Sequence, residues 1–158
     1  MLDVDTLPQG WLEAARQPPP PAERSGDFDF WVGEWECTWD CGTARNSVRK
    51  ILGGRAVLES FDGSADADLR GISISAWNAA RGCWAQTWAD NHGNVFQLAG
   101  GLRDDGAMEI RTAPGLDGSV RRMTFANIAP DGFDWEWAAS AGGGFEPMWV
   151  LRYTRTGG

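Results

Sequence analysis

The feature that most constrains the fold of this chain is a series of turn signals that recur roughly every twelve residues from Glu34 onward. Most of them contain Asp-Gly or Gly-Gly, whose glycines adopt the positive φ angles that tight hairpins need. They lie at residues 53–54, 62–63, 78–82, 92–93, 105–106, 117–118, 131–132 and 142–144. No segment between them has the length and period of a substantial helix, so parallel strands would lack their crossover connections. The pattern therefore predicts an all-β protein built from consecutive hairpins.

The segments between these turns alternate between apolar and polar residues. In the first segment, Trp35, Cys37 and Trp39 share one side and polar residues occupy the other, which is typical of a half-buried strand. The same criterion predicts strands at residues 34–41, 44–52, 55–62, 70–77, 83–90, 94–102, 107–113, 119–128, 133–139 and 146–155.

Antiparallel strands in an open sheet would expose two edges, and closing the sheet removes both. We therefore expect an antiparallel up-and-down β-barrel of about ten strands, with room for a small ligand. A two-sheet sandwich has the same periodicity and is the alternative. Alternation assigns these residues to the interior: Trp35, Cys37 and Trp39; Ile72, Ile74 and Ala76; Trp84, Gln86, Trp88 and Asp90; Met108 and Ile110; Met123 and Phe125; Phe133, Trp135 and Trp137.

The chain divides at residue 28. Residues 28–155 form the predicted barrel, which opens with Phe28, Phe30 and Trp31, and we expect these rings to form a short helical plug at one end. Residues 1–27 are predicted to be a loosely held extension, because four consecutive prolines enforce an extended path. The alternative is that the extension docks through Trp11 on the barrel or on a second subunit, which leaves a homodimer open.

Gly33 and Trp35 follow this aromatic stretch, and the Gly-x-Trp pattern resembles the opening of lipocalin-like barrels. The chain is further similar, in order and spacing, to a bacterial lipocalin-like family at residues 52–59 (LGGRAVLE), 71–78 (GISISAWN) and 86–93 (QTWADNHG). This resemblance covers residues 28–155 and implies a calycin-type barrel, in a family whose members mostly have no assigned function. It also implies that an Arg of the last strand packs on Trp35, and Arg152 lies in the matching segment.

Composition and charge exclude several classes of partner. The 14 basic and 22 acidic side chains give a formal net charge of −8, which repels nucleic-acid phosphates. The sequence contains no apolar run of membrane-spanning length and no secretion signal. Its three cysteines and single His do not have the spacing of a zinc site or a disulfide framework. We therefore expect a cytoplasmic protein with no nucleic-acid partner, no membrane association, no metal and no cofactor.

The richest candidate site lies on the fifth predicted strand. Gln86, Trp88 and Asp90 alternate onto one face, so an amide, an indole and a carboxylate meet near a barrel rim. A carboxylate beside aromatic walls can have a raised pKa and act as an acid or base. Equally, Asp90 and Asn91 can accept hydrogen bonds from backbone amides of the following turn. His92 is expected to lie in solvent at the tip of that turn.

Glu59 is the second candidate acid. If the face that it shares with Val57 and Phe61 is the lumen, the carboxylate is buried and needs a cation or a ligand donor. The possible partners on predicted strands are Arg45, Arg49 and Arg121. We favour the opposite orientation, in which Leu58 and Ser60 face inward and Glu59 forms a surface ion pair.

The ten Trp residues shape the functional prediction. Core packing is expected for Trp35, Trp84, Trp135 and Trp137, whereas an aromatic cage is expected from Trp39, Trp88 and Trp149. We predict that the barrel binds a small hydrophobic or aromatic molecule. The predicted ligand-binding residues are Trp39, Gln86, Trp88, Asn91, Arg121 and Trp149.

Two other functions are open. The first is a cavity enzyme of the cyclase, isomerase or decarboxylase type, with Asp90 or Glu59 as acid or base. The second is a haem site with His92 as the axial ligand.

Overall fold

In the computed structural model, which describes residues 16–157, ten antiparallel strands form one closed barrel. The strands are β1 (Gly33–Trp39), β2 (Gly42–Ile51), β3 (Ala56–Asp62), β4 (Arg70–Asn78), β5 (Cys83–Asp90), β6 (Val95–Leu102), β7 (Met108–Thr112), β8 (Val120–Ala129), β9 (Gly132–Ser140) and β10 (Glu146–Arg155). Each strand pairs with the next, and β1 pairs with β10. The predicted up-and-down barrel is therefore confirmed, and the sandwich alternative is wrong.

Two short 3-10 helices, Asp29–Trp31 and Leu52–Gly54, complete the regular structure of residues 16–157. No helix within residues 16–157 is long and apolar enough to cross a membrane. Of the predicted extension, residues 16–27 are described: the Arg55 guanidinium donates to the carbonyl of Gln17 at 2.8 Å. Trp11 lies outside the described residues.

The interior assignment from alternation is wrong for β4. Ile72 and Ile74 are 54% and 46% exposed on the outer face, whereas Gly71, Ser73 and Ser75 are buried. The Trp88 ring lies against Gly71 so closely that a Cβ there would collide with it. The inner wall of β4 therefore consists of small residues, because the neighbouring strand fills the space in front of them.

Aromatic rings pack one end of the barrel. Phe28 and Trp31, at the Asp29–Trp31 helix, are buried. Phe28 meets Trp84 edge-on with 5.1 Å between ring centroids, and Trp31 meets Phe125 at 5.2 Å. The Trp84 indole also donates a hydrogen bond of 3.1 Å to the Asp27 carboxylate. Large rings in edge-to-face contact give this end a dense core.

The arginine on Trp35 is Arg155, so the expectation for Arg152 is wrong. The guanidinium of Arg155 lies 4.2 Å from the centroid of the Trp35 ring. Arg152 pairs instead with Asp134 at 2.9 Å and is exposed. The reason is register: Arg155 lies opposite Trp35 and Arg152 opposite Thr38. Positions an odd number of residues apart on a strand point to opposite faces, so the two arginines cannot both lie over Trp35.

Arg155 also ties the chain before β1 to the end of the barrel. It donates hydrogen bonds to the carbonyls of Val32 at 2.9 Å and Phe30 at 3.2 Å. The Trp35 indole donates to the Trp31 carbonyl at 2.8 Å. Gly33 has a φ of 145°, and a Cβ at this position would collide with the guanidinium. A glycine is therefore required where Arg155 crosses the start of β1.

These contacts predict a graded loss of stability. Trp35→Ala should lower the free energy of unfolding by about 3–5 kcal/mol, because it removes a large buried ring. Arg155→Ala should lower it by about 1–3 kcal/mol through lost stacking and charged hydrogen bonds. The matched control Arg152→Ala loses only an exposed ion pair, worth less than about 1 kcal/mol. Urea unfolding followed by tryptophan emission measures all three.

The double variant of Trp35 and Arg155 should lose less stability than the sum of the single losses, because the two side chains share one interaction. Simple additivity, or a loss in Arg152→Ala as large as in Arg155→Ala, contradicts the assignment of Arg155 as the closing residue.

Candidate functional site

The half of the barrel away from the Asp29–Trp31 helix holds a cavity of about 300 Å³. Its aromatic lining consists of Phe61, Trp88, Phe96, Trp135, Trp137, Trp149 and Tyr153. These rings come from β3, β5, β6, β9 and β10, so they surround the cavity from several sides. Leu69 and Asn94, in the loops that follow β3 and β5, also contribute to the lining.

The aromatic lining is held in place by contacts between its own rings. Trp149 lies 5.9 Å from Phe61 and 6.0 Å from Trp135 between centroids, and both pairs meet edge-on. Trp39 packs against Trp149 at 5.2 Å and does not line this cavity. Of the predicted cage, Trp88 and Trp149 therefore face the cavity, while Trp39 packs against Trp149 outside the cavity lining.

Glu59 points into the barrel and lines the cavity, which corrects the outward orientation favoured from the sequence. Its side chain is buried, with 4% of the residue exposed. One carboxylate oxygen accepts a hydrogen bond from Asn46 Nδ2 at 2.8 Å, and the other accepts from Ser73 Oγ at 2.6 Å. Alternation correctly grouped Glu59 with Val57 and Phe61, but both faces of β3 carry apolar residues, so it did not show which face is inside.

None of the predicted arginine partners neutralises Glu59. Arg45 and Arg49 are exposed on the outer face, and no Lys or Arg within residues 16–157 forms an ion pair with this carboxylate. Burial raises the pKa of Glu59 to about 7, although the hydrogen bonds from Ser73 and Asn46 oppose this rise. Glu59 is therefore an acid that changes its charge near neutral pH inside an aromatic cavity.

Glu59 belongs to a buried polar network that the sequence analysis did not predict. Asn46 Nδ2 also donates to the Tyr153 hydroxyl at 3.0 Å. Burial raises the pKa of Cys37 to about 12 and the pKa of Tyr153 well above 10.0, so both groups are neutral at pH 7. A usable signal was present, because Asn46 and Tyr153 are polar residues at inward positions of their strands.

Gln86 lies deeper than predicted, next to this network. Its Nε2 donates to Ser75 Oγ at 3.0 Å, and it does not line the cavity. The Oδ1 of Asn46 and the Oε1 of Gln86 are buried without a hydrogen-bond partner among the described residues. Polar inward groups thus occupy β10 and β2 to β5, whereas Leu98, Ile110 and Met123 make the facing wall apolar.

Asp90 lines the cavity at the end of β5. Partial burial would raise its pKa, but hydrogen bonds from Trp88, from Asn94 and from the backbone amide of His92 outweigh burial and lower it. The Trp88 indole donates to Asp90 Oδ2 at 3.0 Å, while Oδ1 accepts from the backbone of His92 and Asn94. Of the two alternatives for Asp90, the raised pKa is therefore wrong, and the structure shows the other: the carboxylate accepts hydrogen bonds from backbone amides of the turn and orients Trp88.

Asn91 and His92 lie in that turn and do not line the cavity. Asn91 Oδ1 accepts a hydrogen bond from the amide of Arg70 at 2.7 Å. The exposed His92 ring lies 2.7 Å from the Asp68 carbonyl through Nε2. The structure therefore does not place the imidazole where it would ligate a haem inside the cavity.

Arg121, at the start of β8, is the cation of the lining. Its backbone amide donates to Thr112 Oγ1 at 2.9 Å. Its guanidinium has no carboxylate within ion-pair distance in the part of the chain that the structure describes. Within residues 16–157, no group of His, Cys, Asp and Glu side chains is placed to hold a metal ion.

Fold and site together define a closed antiparallel barrel with an aromatic cavity and one uncompensated buried acid. No protein-family model matches the chain, and no curated protein is significantly similar to it.

The raised pKa of Glu59 predicts how stability depends on pH. Between about pH 4.5 and 7 the folded protein keeps a proton on Glu59 that the unfolded chain releases, so stability falls as pH rises. Relative to Glu59→Gln, the wild type should lose about 3 kcal/mol across this window and no more above it. Urea unfolding of both proteins at several pH values isolates this difference, because the other groups titrate alike in each. A difference that stays constant with pH contradicts the buried protonated state.

Proposed function

We propose that this protein is an intracellular lipocalin-like barrel that binds one small hydrophobic or aromatic molecule in its cavity. The main observation in support of the proposal is the cavity of about 300 Å³, which is lined by aromatic rings that do not fill it. Close-packed interiors contain few voids larger than a water molecule, so a cavity of this size is typical of a binding site.

The size and lining restrict the occupant. Ligand pockets span roughly 300–1,000 Å³, so this one suits a compact molecule. The rings of Trp88, Trp135 and Trp137 offer flat apolar surface, and burial contributes about 25 cal/mol per Å² of apolar area. Glu59 and Tyr153 supply polar groups inside, and Arg121 and Asp90 supply charged groups at the ends of their strands. These groups would orient a ligand whose body is apolar.

The intracellular, lipocalin-like part of the proposal has separate support. The first strand begins with Gly33 and Trp35, and an Arg of the last strand packs on that Trp, as the resemblance implies. Cys37, Cys41 and Cys83 are free thiols, which fits a reducing compartment.

Ligand binding is tested by titration with fatty acids, flavonoids and aromatic polyketides. A ligand at a hundred times its Kd should stabilise the fold by about 2.7 kcal/mol and so raise the melting temperature by several degrees. Leu98→Trp, which fills the cavity from β6, should abolish this shift. Ile74→Trp places the same ring on the outer face and should retain it. Equal shifts in both variants would show that the compounds bind elsewhere.

Catalysis in the same cavity is a second candidate, favoured by one observation. Glu59 is buried against the cavity and its pKa is raised to about 7, which suits a general acid or base at neutral pH. Asp90 is the weaker choice, because its pKa is lowered and its oxygens are engaged by the turn.

The catalytic candidate predicts that a neutral ligand of the wild type is converted to a product detectable by mass spectrometry. Glu59→Gln should then reduce turnover by about 10²–10⁴-fold, the usual contribution of a general acid or base, while the neutral ligand still binds. Turnover that persists in Glu59→Gln rejects this residue as the catalyst.

A further inference from the structure

Glu59 is a buried carboxylate whose hydrogen-bond partners are both neutral. Asn46 Nδ2 and Ser73 Oγ each donate a hydrogen bond to one of its oxygens, and such donors stabilise the ionised form of a carboxyl group. A buried charge is costly unless an opposite charge lies close to it. No such charge is supplied within residues 16–157, while the carboxylate borders an open cavity.

The walls of the cavity favour the same sign of ligand charge. The faces of Trp, Tyr and Phe rings carry negative quadrupole charge and attract cations, most strongly when the site excludes water. Seven such rings line the cavity, and four of them are indoles: Trp88, Trp135, Trp137 and Trp149. Aromatic rings combined with a carboxylate form the type of cage that holds ammonium groups.

The charges further from Glu59 do not reverse this preference. Two carboxylates, Glu59 and Asp90, line the cavity against one guanidinium, Arg121. Arg121 lies at the start of β8, close to the loop that precedes it, whereas Glu59 lies within β3 beside the buried network. The chain carries a formal net charge of −8, which raises the local concentration of cations and depletes anions.

From this geometry we infer that the ligand is an organic cation, a protonated amine or quaternary ammonium on a compact apolar body, with its charged group beside Glu59. The inference rests on the proposed binding function and specifies its ligand class. The ammonium group replaces the missing counter-ion, and the apolar body lies against the indoles.

A matched pair of probes tests the sign of the charge at constant shape. Benzyltrimethylammonium and neopentylbenzene differ only in one atom, a cationic nitrogen against a carbon, and 3-phenylpropionate serves as the anion. Tryptophan emission and melting temperature report binding of each. We expect the cation to bind at least tenfold more tightly than the neutral isostere, and the anion to bind most weakly.

A matched pair of variants assigns the effect to one carboxylate. Glu59→Gln should weaken binding of benzyltrimethylammonium at least tenfold and leave neopentylbenzene unchanged. Glu36→Gln removes the same charge from the exposed outer face of β1, and should leave both affinities unchanged. Because the probe is permanently charged, its affinity for the wild type should rise up to about tenfold from pH 6 to pH 8, as Glu59 ionises.

The groups that face Glu59 from neighbouring strands do not account for such a rise. Cys37 and Tyr153 stay neutral in this range, because burial raises the pKa of each, and Asp90 is already ionised. The rise should therefore be absent in Glu59→Gln and present in His92→Gln, which removes the only imidazole of the chain.

The outcomes separate this inference from the proposed function. If the neutral isostere or the anion binds as tightly as the cation, the cavity binds ligands but the cationic class is wrong. The cationic class is also wrong if Glu59→Gln binds the cation as well as the wild type does. If none of the three probes alters emission or melting temperature at millimolar concentration, the cationic class is wrong, and the titration with fatty acids, flavonoids and aromatic polyketides decides separately whether the proposed binding function fails as well.

Discussion

One arginine stabilises the seam at which the barrel closes. Arg155 stacks on Trp35 and donates to the carbonyls of Phe30 and Val32, so it joins the last strand, the first strand and the segment before it. Pairing of β1 with β10 removes the two edges that an open sheet would expose. These partners are far apart in sequence, so their pairing has the largest loop-closure cost of the sheet. A charged, multidentate contact at that seam helps to offset the cost.

The closed seam allows the two halves of the interior to differ. Near the Asp29–Trp31 helix, rings such as Phe28 and Trp84 meet edge-on and fill the space. In the other half, the aromatic rings pack against neighbouring residues of the barrel wall and leave the centre open. Trp39 packs against Trp149, and the lack of a Cβ at Gly71 gives the Trp88 ring room beside β4. Because these contacts hold the rings in place, the cavity is open without a ligand. Preformed sites of this kind lose less conformational freedom when a ligand binds.

The sequence predicted the parts of this structure that depend on local chemistry. Turn glycines and alternation located the strands and indicated closure, because both signals act over a few residues. Alternation also placed Glu59 and Phe61 on the same face of β3, but it did not show that this face lines the lumen. On β4 it assigned Ile74 rather than Ser73 to the interior. Which face of a strand points inward depends on the side chains of neighbouring strands, and these contacts are between residues far apart in sequence. The choice of Arg152 over Arg155 failed for the same reason, since register decides which arginine meets Trp35.

Glu59 is a poor choice for stability alone. A Gln at this position would keep an acceptor for Ser73 without a charge to desolvate, and it would not weaken the fold as pH rises towards 7. Asn46 Oδ1 and Gln86 Oε1, which are buried without a hydrogen-bond partner in the described part of the chain, add to the free-energy cost of the same polar wall. Sites where local choices oppose folding are where function is expected, because a ligand can supply what the fold leaves out. Among residues 16–157 no Lys or Arg pairs with the Glu59 carboxylate, and the cavity of about 300 Å³ beside it has room for a positively charged group.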